Sequence, residues 1–130
     1  MINLYKGVGK KKNAIVKVFL KKDLNNKIII NNKYTIYNYF NKKINYKLIF
    51  KPLFLTNSKN FTILIKAKGG GKCAQVFAIC NAISKALISY NKNFKKILSD
   101  NKLLTRDSRM VERKKVGLKK SRKRRQFSKR

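Results

Sequence analysis

The sequence predicts a small α+β body that carries an extended basic tail at its C-terminal end. Three observations lead there. AIVKVFL (14–20) alternates with a period of two, as a half-buried strand does. FTILIKAK (61–68) runs through three glycines into a stretch with apolar residues at three- and four-residue spacing, a strand followed by an amphipathic helix. At Thr105 the composition breaks: residues 105–130 hold 13 basic and 2 acidic residues. Their few apolar side chains cannot repay the entropy of folding alone.

Taken in order, LYKGVGKKKNAIVKVFL (4–20) reads as two short strands around a Gly-containing basic turn. In the second strand Ala14, Val16, Val18 and Leu20 make the core face, and Ile15, Lys17 and Phe19 point the other way. KDLNNK is a turn by its Asp and Asn content, and KIII (27–30) is a third strand. YTIYNYF and INYKLIFKPLFL allow short helices, the second bent or ended near Pro52. After the glycines, Val76, Ile79, Cys80, Ile83, Ala86, Leu87 and Tyr90 line one side of a long helix. NFKKIL forms a second short one, and Leu103-Leu104 is the last pair suited to a core. The expected division is a body over 1–104 and a tail over 105–130.

Charge narrows the function. Against 35 Lys+Arg stand 4 Asp+Glu, a formal charge of +31, so the chain needs a polyanionic partner. Nucleic acid comes first and an anionic membrane surface second. Apolar stretches such as KLIFKPLFL fall well under the ~20 residues that span a bilayer, which argues against the membrane. MINLYKGVGKKK lacks the apolar core of a signal peptide and the composition of a transit peptide. The expectation is a chain made where it works or already trimmed.

Chemistry is poorly provided for. The chain has no His, and Asp23, Asp100, Asp107 and Glu112 offer no acid/base pair at a readable spacing. An enzyme, a small-molecule substrate and a cofactor are not expected. Cys73 and Cys80 are too few for a disulfide framework or, without His, for a zinc site. They read as two small packing residues on one helix face. Asp107 and Glu112 are expected to pair with the arginines around them.

GGGK (69–72) is not a P-loop, because Lys66 and Cys73 stand where that motif needs Gly and Ser or Thr. GVGKKK (7–12) lacks the third glycine of a dinucleotide fingerprint. Gly69-Gly70-Gly71 is either a plain strand-to-helix turn or a place where backbone amides approach phosphate closely. Lys66, Lys68 and Lys72 surround it. Lys outnumbers Arg 28 to 7, and with abundant Asn and Ile this points to an AT-rich genome. Yet all seven arginines fall at 106 or later. That segregation points to a segment that favours the guanidinium, a planar fork of donors that Lys cannot copy.

LLTRDSRMVERKKVGLKKSRKRRQFSKR closely resembles the C-terminal signature of the bacterial-type small-subunit ribosomal protein S-nine family. YKGVGKKKNAIVKVFL is similar to that family's opening basic hairpin, IIINNKYTIYNYF to its next strand and helix, and KPLFLT to its Pro-centred segment. IKAKGGG with AQVFAICNAISKALISY completes a resemblance over nearly the whole chain. It implies a small mixed sheet with helices on one face, of the ribosomal-protein left-handed βαβ type, bound in the head of the small subunit. It implies as partners small-subunit ribosomal RNA, P-site transfer RNA and neighbouring head proteins. The body's RNA contacts would fall on Lys10, Lys11, Lys12, Lys68, Gly69, Gly70, Gly71, Lys72 and Gln75. Those of the tail stem would fall on Arg106, Arg109, Arg113, Lys114, Lys115, Lys119, Lys120, Arg122, Lys123, Arg124 and Arg125. Ser128, Lys129 and Arg130 would reach transfer RNA phosphates.

The chain departs from the family pattern at Lys10-Lys11-Lys12, where the cluster is usually Arg-rich, at Ala74, Phe77, Cys80 and Asn81, where small or basic residues are usual, and at Arg125, where Pro is common. Codon drift favours an organellar ribosome, a plastid (apicoplast or chloroplast type) ahead of a mitochondrion or an AT-rich bacterial cytoplasm. The competing reading is a free-standing nucleic-acid chaperone or nucleoid protein.

Overall fold

Strand β1 (Leu4–Lys11) turns back through Lys12 and Asn13 into β2 (Ala14–Lys22), as seen in a computed structural model that describes residues 3–128. After a loop, β3 (Ile28–Ile30) leads to α1 (Ile36–Tyr39), a 3-10 turn (Tyr46–Phe50) and α2 (Lys51–Leu55). Strand β4 (Phe61–Lys68), helix α3 (Lys72–Tyr90) and helix α4 (Phe94–Asp100) follow. Among the described residues the strands form one sheet in the order β1-β2-β4-β3. Its pairs are antiparallel except β3 with β4, which is parallel. This is the α+β body expected, with a mixed sheet and helices on one face.

Alternation decides which face that is. Ala14, Val16, Val18 and Leu20 are fully buried, and Ile63 and Ile65 of β4 stand beside them. Ile79, Ile83 and Leu87 of α3 close over this layer, with Ile36, Phe40, Ile49 and Leu98 at its margins. Each such side chain contributes about 1.5–3 kcal/mol by leaving water.

Several sequence expectations change in detail. The hairpin turn is Lys12-Asn13, with Lys12 at a φ of 50°, and holds no glycine. Gly7 and Gly9 lie inside β1 instead, facing α3. A Cβ on Gly7 would overlap the Ala82 carbonyl, and one on Gly9 the Ala78 carbonyl. The bare strand lets the helix backbone lie directly on β1. The 3-10 turn ends at Phe50, near Pro52 as expected, and Pro52 itself sits in the first turn of α2, where its missing N–H costs nothing. Helix α3 is long and apolar enough to cross a membrane by length and composition, unlike the shorter stretches such as KLIFKPLFL. It is 61% buried in the body as its core helix.

The cysteines part company. Cys80 is buried as expected, its thiol pushed up to about 11 by burial with a smaller opposing pull from Lys51. Cys73 is exposed, contrary to its reading as a packing residue. Position 73 falls in the first turn of α3, ahead of the part that the sheet covers. Because the thiolate is the nucleophile, a maleimide at neutral pH is expected to add to Cys73 within minutes. Cys80 should react only in denaturant, with intact-mass spectra counting one adduct and then two. Two fast adducts on the native protein would contradict the burial of Cys80.

Candidate nucleic-acid interface

The basic cluster at the end of β1 is divided by the pleat. Lys10 projects from the open face of the sheet, Lys12 occupies the turn, and Lys11 points to the α3 side. There Lys11 Nζ lies 2.9 Å from Asp107 Oδ2.

The glycine loop docks beside the same turn. Gly69 and Gly70 have φ values of 74° and 65°, and a Cβ on either would crowd the Asn13 carbonyl or Ala14. Gly71 is extended, in open space, and caps α3 without a side-chain hydrogen bond, so the first amides of the helix have no side-chain acceptor. The side chain of Gln75 is buried and committed inward. It donates from Nε2 to the Gly69 carbonyl at 3.0 Å and accepts from Tyr39 Oη at 2.8 Å. Lys72 Nζ lies 3.2 Å from the centroid of the Tyr39 ring, a cation–π contact. Lys66 and Lys68 do not join this group: alternation along β4 puts them on the open sheet face, away from α3.

The tail leaves the body at the same end. Leu103 and Leu104 pack against the core, and Asn81 Nδ2 donates to the Leu103 carbonyl at 2.9 Å. Asp107 then ties the root to Lys11 and is forked by Arg109, whose Nη2 lies 2.8 Å away. The Arg109 guanidinium, with Lys11 next, holds the Asp107 carboxyl well below the usual carboxylate range. A notch of about 130 Å³ opens under the root, lined in part by Lys10, Lys11, Phe77, Cys80, Asn81 and Arg106. The exposed Phe77 ring lies 6.0 Å from Lys11 Nζ.

Beyond the root, the described tail residues form neither helix nor strand, and almost all are exposed. Glu112 gathers them locally. Its carboxylate takes Lys115 at 2.6 Å and Arg122 at 3.1 Å, and its carbonyl accepts from Ser121 Oγ. Both tail carboxylates thus pair with tail cations, as expected. Arg106, Arg113, Lys114, Lys119, Lys120, Lys123, Arg124 and Arg125 make no ion pair among the described residues. Ser128 is exposed at the last described position, and Lys129 and Arg130 lie outside the described residues.

An α+β body with a basic hairpin tip, a glycine loop beside it and a cation-dense tail leaving the same end defines a protein built to meet a polyanion. The chain matches the family described as ribosomal protein S9/S16 over residues 9–130, nearly its whole length, and it belongs to that family. It is accordingly a protein of the small ribosomal subunit that serves in translation.

Proposed function

We propose that the chain is a structural, RNA-binding component of the small-subunit head. The unit over 1–104 docks on ribosomal RNA, the stretch 105–130 is ordered along RNA, and its tip contacts P-site transfer RNA. The observation that carries this reading is the position of the tail root. Asp107 is held by Lys11 at the hairpin tip, so the arginine-bearing segment starts beside the body's own phosphate-binding candidates. Lys10, Lys12, Lys68, Lys72 and the Gly69–Gly71 amides would meet phosphates first. Lys11 and Gln75 would serve from inside, one by anchoring the tail and the other by bracing the glycine loop. Arg106 through Arg125 would run along ribosomal RNA, with head proteins as further neighbours. The drift from Arg to Lys outside the tail favours a plastid ribosome.

Deleting Ser128, Lys129 and Arg130 tests the tip. Reconstituted subunits are expected to take up the shortened protein at full stoichiometry, while P-site transfer RNA dissociates several-fold faster. Equal loss of uptake and of transfer RNA binding would remove the separate role of the tip.

A further inference from the structure

The helices cover one face of the sheet and leave the other open. Along that open face, β2 and β4 run antiparallel with Lys17 directly opposite Lys66. Like charges so placed destabilise a sheet. Two register pairs along, and so on the same face, Ile15 opposes Lys68 on one side and Lys10 on the other, bringing four cations around one exposed isoleucine. The chain's carboxylates do not offset them. Asp107 and Glu112 are spent on the tail and its root, and Asp100 ends α4 on the covered side. Asp23 accepts from Thr62 Oγ1 at 3.1 Å, six residues beyond Lys17 and so about 20 Å along the strand direction. A shallow groove of about 570 Å³ lies between Lys17, Lys66 and Lys68, rimmed by Asn31 and Asn32.

We propose that this open sheet face is a second RNA-docking surface, in which a phosphate of the RNA backbone sits between Lys17 and Lys66 and supplies the missing counter-charge. The proposal rests on the RNA-binding reading above and centres on Lys17 and Lys66, which that reading does not use, while Lys10 and Lys68 border both surfaces. Charge complementarity selects the occupant. The groove presents ammonium groups and two asparagine side chains around one aliphatic floor, and a sugar–phosphate strand has the matching anions and an apolar sugar edge. Phe19, whose ring lies 5.8 Å from Lys66 Nζ, stands next along β2 as a platform for a base or ribose.

Lys17→Glu separates docking from folding, because it turns a repulsive cross-strand pair into an attractive one. The full-length variant is expected to unfold at a higher urea midpoint than the parent. Its affinity for a small-subunit ribosomal RNA transcript should nevertheless fall, measured by filter binding across a KCl series. The double variant Lys17→Gln/Lys66→Gln should lower the log–log salt slope by about 1–2, up to one unit for each lysine removed. If the parent itself shows no preference for the transcript over bulk RNA, the underlying RNA-binding reading fails. If the parent binds and both variants match it in affinity and slope, the sheet-face proposal alone is overturned. Unchanged transcript affinity with reduced uptake of a neighbouring protein in reconstitution would also overturn it, assigning the face to an acidic protein surface.

Discussion

Gly9→Ala is expected to cost the body more stability than any other single methyl group added to it. The new Cβ would overlap the Ala78 carbonyl and crowd the Ala82 amide, so the obstacle is helix backbone rather than a side chain that could rotate aside. Overpacking a core costs typically ~1–3 kcal/mol and occasionally more, and a backbone obstacle belongs at the upper end. Gly7→Ala meets Ala82 and Ala86 in the same way one turn further along α3. Together the two substitutions would consume most of a stability of roughly 5–15 kcal/mol, and the double variant is expected to be unfolded at 25 °C by circular dichroism. Gly71→Ser is the control. That position has a φ of −86°, open space around it and the N-cap of α3, where Ser is favoured. Its urea midpoint should equal or exceed the parent's. A Gly9→Ala midpoint indistinguishable from the parent's would mean that α3 does not lie directly on β1.

That contact also marks where the sequence stops being legible. Period-two alternation exposed the buried face of β2, and three-and-four spacing exposed the large apolar side of α3. Both patterns depend on bulky side chains. The helix meets β1 through Ala78, Ala82 and Ala86 against Gly7 and Gly9. None of these residues stands out alone, and only their pairing across elements carries meaning. Where each lysine points was illegible for another reason. Lys10-Lys11-Lys12 reads as one cluster, yet the pleat sends its members to different sides, and only Lys11 reaches the tail root. The same rule, applied to β4, would have separated Lys66 and Lys68 from Lys72.

Gln75 illustrates the limit of carrying a role over by position. A polar residue beside the glycine loop suggests an RNA contact, but its amide is used inside, between Tyr39 and Gly69. The tail was legible as charge, and its two carboxylates were correctly expected to pair with its own cations. That Glu112 would reach Arg122, ten residues on, has no local signature, because no regular element sets the distance.

Ending the chain after Ser108 is expected to produce the largest loss of RNA affinity. The cut removes twelve basic residues and Glu112 but spares Asp107, so the Lys11 contact and the packing of Leu103 and Leu104 remain. The shortened protein should therefore unfold at nearly the parent's urea midpoint. Its binding should change in kind. If about ten of the removed cations neutralise phosphates on single-stranded RNA, the log–log dependence of affinity on salt loses about 7 units of slope. The two proteins would then differ by orders of magnitude at low salt and converge as salt rises. Screening alone predicts that convergence for any cationic tail, so a second variant is decisive: Arg109, Arg113, Arg122, Arg124, Arg125 and Arg130 all replaced by Lys. Net charge is unchanged, and the bidentate forks are lost. If the segregation of arginine reflects paired donors on particular phosphates, this variant should keep most of the salt slope yet assemble into subunits more weakly than the parent. Full assembly with these six arginines replaced would show that the segment beyond Ser108 needs charge alone, leaving the confinement of arginine to it without a physical cause.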